Sequence, residues 1–285
     1  MGLRTQIRRK RHGRRASRRA QWTLGSDENE LLDLIQLLRP IDAGHELIRI
    51  GGRGDGGYLI PNDLEGIGAC FSPGVGPTSQ FEQELATRFG IKCFLADASI
   101  EDPSFSAAES PFFDFENKFI GCHNSENFIR LEDWITDKYG TMGGGAISSL
   151  STDDLMLQMD IEGDEFAVIV DTPRHILRRF RIMAIEFHNL HLLFEANWRR
   201  LFRSIFNKIV EDFYIVHIHP NNSTQLVSAR GVDIPPVMEI TLLRQDRARK
   251  TDLPLGYPHP LDEANCPQFP DIVLPDIFAS VKRGE

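Results

Sequence analysis

From Gly66 onward, apolar runs rich in β-formers alternate with stretches whose apolar residues fall at helical spacing, and this alternation restricts the fold more than any other feature of the chain. "GIGACFS" reads as a strand, "TSQFEQELATRFG" as a helix closed by Gly90, and "IKCFLAD" as a second strand. "NKFIGCHN" is expected as the third strand, with "IRLEDWITDKYG" as the helix after it. "LMLQMDI" is the fourth strand, "DEFAVIVDT" its helix, and "RIMAIEFHNL" the fifth strand. Such alternation predicts a parallel sheet covered on both faces. Two late β-rich runs, "FYIVHIH" and "VMEITLLR", have no helical pattern between them, and strands joined without a crossover helix pair antiparallel. The expected architecture is an α/β three-layer sandwich of about seven strands, mostly parallel, with a late antiparallel strand.

Flanking segments fit this frame. "SDENELLDLIQLLRP" offers Asp27 as an N-cap, Glu30 three residues later, and Leu31, Leu34, Ile35 and Leu38 on one helical face until Pro40 stops it. "LIRIGGRGDGGYLIP" packs five glycines between two short β-rich runs, which predicts strands joined by tight turns. In "LFEANWRRLFRSIFNKIV" a stripe of Phe194, Trp198, Leu201, Phe202, Ile205, Phe206 and Ile209 is expected in the core, with Arg199, Arg200, Arg203 and Lys208 outside it. A Pro-rich C-terminal segment should wrap the outside. The domain reading is a basic, disordered tail over residues 1–25 and a single domain over 26–285.

Charge is divided unevenly. Residues 1–20 hold nine of the 32 Lys+Arg and no acid, leaving 23 basic against 41 acidic residues, a net of −18 for the rest. Such a tail makes at most non-specific contact with nucleic acid, and an Arg-rich targeting leader is the rival reading. An apolar fraction of 41% suffices for a full core. No apolar run reaches the roughly 20 residues of a membrane span, and no apolar signal segment opens the chain, so a cytoplasmic protein is expected. Cys70, Cys93 and Cys122 lie in or beside apolar runs and Cys266 forms no C-x-x-C pair, which predicts buried reduced thiols rather than zinc or disulfides.

In an open α/β sheet, ligands bind beyond the carboxyl ends of the strands where strand order reverses. The first strand ends in "FSPGVGPTS", where Gly74 and Gly76 permit a tight turn and close backbone approach. The second ends in Asp97, 23 residues after Gly74, where a carboxylate meets ribose hydroxyls. Together they predict an adenosine-containing cofactor. A dinucleotide fingerprint would want a third glycine where Ser79 stands, which lowers NAD and FAD.

"RIGGRGDGGYLIP", "FSPGVGPTSQFEQELATRFGIKCFLADAS", "LQMDIEGDEFAVI", "MAIEFH" and "HIHPNN" occur in an order and spacing that resemble the FkbM-like methyltransferase family, over roughly residues 48 to 245. The resemblance implies a class I methyltransferase (Rossmann-like) fold, S-adenosylmethionine as methyl donor, and O-methylation of a sugar or small-molecule hydroxyl. By position, Gly74 and Gly76 match the cofactor loop, Asp97 the acid ending the second strand, and Asp160 and Glu162 the acids of the M-D-I-E-G-x-E motif. Many class I enzymes carry an acid just before the glycine loop to hold the methionine amino group, whereas this chain has Ser72 and Pro73. Glu82 can take that role or be a plain helix-surface glutamate.

Asp160 is expected to face the reacting methyl group, binding cofactor, metal or substrate, or else to N-cap the next helix. Glu162 is expected to shape the site, and Asp164 and Glu165 to complement the helix dipole. Glu186 and His188 share one side of the fifth strand, so His188 can act as general base oriented by Glu186 or Asp160, or all three can hold a divalent metal, or His188 can be a hydrogen-bonded core residue. His217 and His219, with Asn221 and Asn222, read as a structural polar cluster near the pocket rim, with substrate contact as the sharper alternative. Asp55 and Tyr58 can close over the cofactor, and His123 and Asn124 can touch adenine. The functional expectation is an S-adenosylmethionine-dependent methyltransferase. The alternatives are a metal-dependent hydrolase using Asp160, Glu186, His188 and His217, and a non-catalytic adenosine-binding scaffold.

Overall fold

A computed structural model describes residues 28–76, 79–100, 110–140, 154–229, 231–249, 251 and 256–278. The basic tail and Asp27 lie outside the described residues. Helix α1 (Glu28–Leu37) leads to strands β1 (Leu47–Ile50) and β2 (Tyr58–Pro61), which form the glycine-linked antiparallel pair. β3 (Ile67–Pro73), α2 (Gln80–Phe89) and β4 (Lys92–Ala96) follow, and Gly90 closes α2 in the left-handed conformation at φ 65°. Next come β5 (Phe113–Glu116), β6 (Phe119–Gly121), β7 (Phe128–Arg130), α3 (Leu131–Gly140) and β8 (Asp154–Met159). The chain continues through α4 (Glu165–Asp171), α5 (Arg174–Leu177), β9 (Phe180–Phe187), α6 (Ala196–Val210) and β10 (Phe213–Pro220). A small hairpin of β11 (Val227–Ala229) and β12 (Val232–Ile234) precedes β13 (Met238–Arg244).

Seven strands make the central sheet in the order β10-β13-β9-β8-β3-β4-β5. Numbered along the chain within that sheet, the order is that of a doubly wound 3-2-1-4-5-6 sheet with the last strand inserted between the fifth and sixth. β13 runs antiparallel to both neighbours, as the missing crossover helix predicts, while the other pairs in the sheet are parallel. Because side chains alternate along a strand, the sheet separates two cores. Ala69, Phe71, Leu155, Leu157, Met183 and Ile185 face α1, α3, α4 and α6. Cys70, Cys93, Leu95, Met156, Ile182 and Ala184 face α2 and the β1–β2 pair.

Several expectations are corrected. The edge strand next to β4 is Phe113–Glu116, whose F-D-F-E alternation carries the pairing, and Phe119–Gly121 pairs instead with Phe128–Arg130 in a separate two-stranded ribbon. In α6, Phe202, Ile205, Phe206 and Ile209 are buried, but Leu201 is 40% exposed and Phe194 sits in the 3-10 turn before the helix. Arg199, expected outside, is buried and satisfied by Glu30 Oε2 at 3.2 Å and the carbonyls of Leu193 and Phe194 at 3.4 and 3.2 Å. Cys122, one residue beyond β6, is exposed, whereas Cys70 and Cys93 are buried in the sheet. The C-terminal segment does more than wrap: Asp262, Asn265 and Asp271 reach into the polar end of the sheet. Among the described residues no helix is long and apolar enough to cross a membrane.

Candidate functional site

A cavity of about 540 Å³ opens at the carboxyl ends of β3, β4 and β8, where strand order reverses. It is walled by Asp55 and Gly56 of the glycine turn, Tyr58 at the start of β2, Gly74–Gly76, Phe81 and Glu82 of α2, Asp97 beyond β4, Gln158 of β8 and Asp160 just beyond it. Its volume is in the range of small-molecule sites.

The loop after β3 is shaped by what surrounds it. At Gly74 a Cβ would stand 1.7 Å from the carbonyl oxygen of Asp160, so glycine is demanded here by the neighbouring strand end as well as by φ +80°. Gly76 has φ +61°, and a Cβ there would meet nothing within 4 Å among the described residues. The Gly76 N–H donates to Asp97 Oδ2 at 3.0 Å and the Ser99 N–H to Asp97 Oδ1 at 2.7 Å, so Asp97 ties the loop after β3 to its own turn while lining the cavity.

Ser72 lies behind the wall. Its hydroxyl hydrogen-bonds to Glu82 Oε1 and approaches Gln158 Oε1 at 2.5 Å, while Gln158 Nε2 donates to Tyr58 Oη at 3.2 Å. One hydroxyl hydrogen cannot serve two acceptors, so with the Gln158 amide in this orientation the second comes from a neutral Glu82. Burial points the same way, pushing Glu82 up to about 7 against the lowering influence of Ser72.

At the end of β8 the acids part company. Glu165, expected only to favour the start of α4, is fully buried, and its Oε1 accepts from Ile161 N–H at 3.2 Å, Gly163 N–H at 3.0 Å and His188 Nδ1 at 3.0 Å. It, rather than Glu186 or Asp160, orients His188. Three donors on one oxygen put the hydrogen on Nδ1, leaving Nε2 toward Glu186 Oε1 at 3.6 Å, Glu162 Oε2 at 3.6 Å and Asp160 Oδ1 at 3.9 Å. Glu162 and Asn189, the two non-glycine residues with positive φ among those described, flank this group at 59° and 61°. Burial, then Glu162, Asp55 and Glu165, lift Asp160 to about 7 although His188 opposes them. Burial, then Asp160, Glu239 and Asp55, push Glu186 well above the carboxylate range. For His188, burial lowers the pKa, but Glu165, Asp160 and Glu162 outweigh it and the net shift is upward.

Sequence reading missed the contribution of the C-terminal segment. Asn265 Nδ2 donates to Glu239 Oε1 at 2.6 Å and approaches Asp55 Oδ1 at 3.5 Å, and Asn221 Nδ2 donates to Glu186 Oε1 at 3.0 Å. His217 pairs with Asp262 at 2.9 Å and His219 with Asp271 at 3.2 Å, all beside the acidic group and outside the cavity lining. Asn222 holds the same segment through the carbonyls of Cys266, Phe269 and Pro270. The available signal was the excess of acids and prolines between Pro258 and Asp276. His123 and Asn124 do not line the cavity: His123 stacks on Phe128 and Asn124 bonds Asp133, and it is Phe119, Ile120 and Phe128 that form that wall. No known protein-family profile matches the chain, and no curated protein is significantly similar to it in sequence.

Proposed function

We propose that this protein transfers a methyl group from S-adenosylmethionine to a hydroxyl oxygen of a sugar or small metabolite. One observation carries the reading: the cavity at the strand-order reversal joins a Gly74–Gly76 turn and the Asp97 carboxylate on one side to the acid-bearing end of β8 on the other. The seven-stranded sheet with its inserted antiparallel strand supports the same reading.

The residues present fit such a cofactor. Asp97 offers carboxylate lone pairs to ribose hydroxyls, and Phe119 and Phe128 offer an apolar wall to adenine. Glu82, buried at the wall with no cation beside it among the described residues, would pair with the amino acid ammonium and give up its proton in doing so. Bound there, the cofactor supplies an electrophilic methyl on sulfur. Asp160, lifted to about 7, would then accept the proton of the attacking hydroxyl near neutral pH, with His188 held beside it by Glu165. Most of the acceleration would come from holding acceptor and donor in line.

Thermal unfolding with S-adenosylmethionine, S-adenosylhomocysteine or NAD, each alone, tests the reading. Both sulfur nucleosides should raise the melting temperature, a ligand at a hundredfold excess over its Kd adding about 2.7 kcal/mol. Stabilisation by NAD and by neither sulfur nucleoside would overturn it.

A further inference from the structure

We propose that Glu82, Ser72, Gln158 and Tyr58 form a hydrogen-bond relay whose direction reverses when Glu82 loses its proton, so that Tyr58 offers the cavity a hydrogen in one state and a lone pair in the other. The four side chains come from α2, β3, β8 and the start of β2, and all are buried. Glu82, Gln158 and Tyr58 line the cavity, and Ser72 joins them from behind. Gln158 Nε2 occupies one lone pair of Tyr58 Oη at 3.2 Å, while the Tyr58 hydrogen has no acceptor among the described residues.

Counting hydrogens leaves two consistent states. With Glu82 neutral, its hydrogen goes to Ser72 Oγ, the Ser72 hydrogen to Gln158 Oε1 and a Gln158 amide hydrogen to Tyr58 Oη, so the Tyr58 hydrogen is left for the cavity. With Glu82 ionised, Ser72 donates to the carboxylate, and Gln158 Oε1 faces a hydroxyl oxygen at 2.5 Å with no hydrogen between them. Turning the amide over removes that repulsion, because its oxygen and nitrogen are near-isosteric. The NH2 group then donates to Ser72 and the carbonyl accepts from Tyr58, which leaves a Tyr58 lone pair for the cavity. Mixed arrangements leave a buried donor or acceptor unpaired, so the chain switches as a unit. No proton travels along it: the Glu82 proton leaves to solvent, the two hydroxyls rotate and the amide turns.

The titratable groups around Glu82 are the buried thiols of Cys93 on β4, whose Sγ lies 3.8 Å from the Glu82 carbonyl oxygen, and Cys70 on β3. The cavity wall adds Asp55, Asp97 and Asp160, and β1 adds Arg49, which donates to the carbonyls of Gly52 and Gly54. Burial, then Asp160, Glu186 and Glu239, hold the Tyr58 phenol well above its ordinary value, so it keeps its hydrogen throughout. In the methyltransferase reading, on which this role rests, the cofactor ammonium ionises Glu82. An acceptor hydroxyl then finds a lone pair on Tyr58 only after the cofactor is in place, with Ser72 and Gln158 as positioning residues. The reversal itself does not depend on that reading.

The test is infrared difference spectroscopy of the full chain, titrated with pH through about 7. The carboxylic C=O stretch of Glu82 is assigned by its absence in Glu82→Gln and the phenol C–O stretch of Tyr58 by its absence in Tyr58→Phe, with each fold checked by circular dichroism. The expected result is a Tyr58 shift with the same midpoint as the loss of the Glu82 band. Asp160, also lifted to about 7, still titrates in Glu82→Gln and in Gln158→Met, a swap of similar volume that cuts the relay. Any shift that Asp160 causes therefore persists in both variants while the part due to the relay is lost, and either variant alone decides. The same Tyr58 shift in the native chain and in the variants, or a Glu82 that does not titrate, would overturn the relay. With Glu82 protonated, S-adenosylhomocysteine should move the Tyr58 band in the same direction, and methylthioadenosine, which lacks the ammonium, should not. A relay that reverses with pH in a chain that binds neither S-adenosylmethionine nor S-adenosylhomocysteine refutes methyl transfer alone, and S-adenosylhomocysteine binding that ionises Glu82 without moving Tyr58 refutes the relay alone.

Discussion

Two glycines a single residue apart face different constraints. At Gly74 an added Cβ collides with the backbone of Asp160, while at Gly76 it meets nothing among the described residues, and the left-handed φ opposes it. Gly76→Ala should therefore cost about 1–2 kcal/mol, and Gly74→Ala distinctly more because the end of β8 must move, as urea unfolding of the two variants would measure. Glu82 allows a sharper prediction. Its folded pKa, about 7, lies above its ordinary 4.5, so its contribution to stability is fully present below about pH 4.5 and is lost as pH rises through 7. Glu82→Gln donates to Ser72 at every pH. Its unfolding free energy should match the native chain near about pH 4.5 and exceed it by up to about 3 kcal/mol near about pH 8. The residues legible in sequence were those at strand ends, Gly74, Asp97 and Asp160. Glu165 was misread because its partner, His188, lies 23 residues away and nothing local distinguishes an acid that orients an imidazole from one that starts a helix.

Helical periodicity placed α6, but its phase was resolved only by what packs against it. Phe202 stacks against Phe206 at 5.7 Å and meets Phe166 of α4 at 4.5 Å, whereas Leu201 faces outward. Phe202→Ala should cost about 3–5 kcal/mol and Leu201→Ala less than about 0.5, measured by the shift of the urea midpoint at constant slope. Lys208 on the same helix reaches the carbonyls of Ile169, Val170 and Thr172 at 2.7, 3.0 and 2.6 Å, capping the end of α4. The edge strand escaped prediction because Phe113–Glu116 is only four residues long and the apolar run behind it was the stronger signal.

At the scale of the whole molecule, the C-terminal segment ties the antiparallel edge of the sheet to the acidic group. Burial alone would lower the His219 pKa, but Asp271 and Glu239 raise it to about 10. A histidine raised in the fold contributes stability that is complete below its unfolded value of 6.5 and is lost as pH rises through about 10. Unfolding followed from about pH 6 to 10 should show that alkaline fall, and Asp271→Asn should flatten it by removing the nearer acid. Sequence alone determined the α/β class, the late antiparallel strand and the strand ends that frame the cavity, because hydrophobic periodicity and glycine placement are local properties that each segment carries with it. Only the tertiary structure decided which acids meet. Glu186, Glu239 and His219 come side by side through the register of β9, β13 and β10, and Asp55 and Asn265 join them from turns 210 residues apart. No periodicity encodes such encounters: they arise when separate strands and loops converge on one low-dielectric end of the sheet, where each charge is set by neighbours distant in the chain.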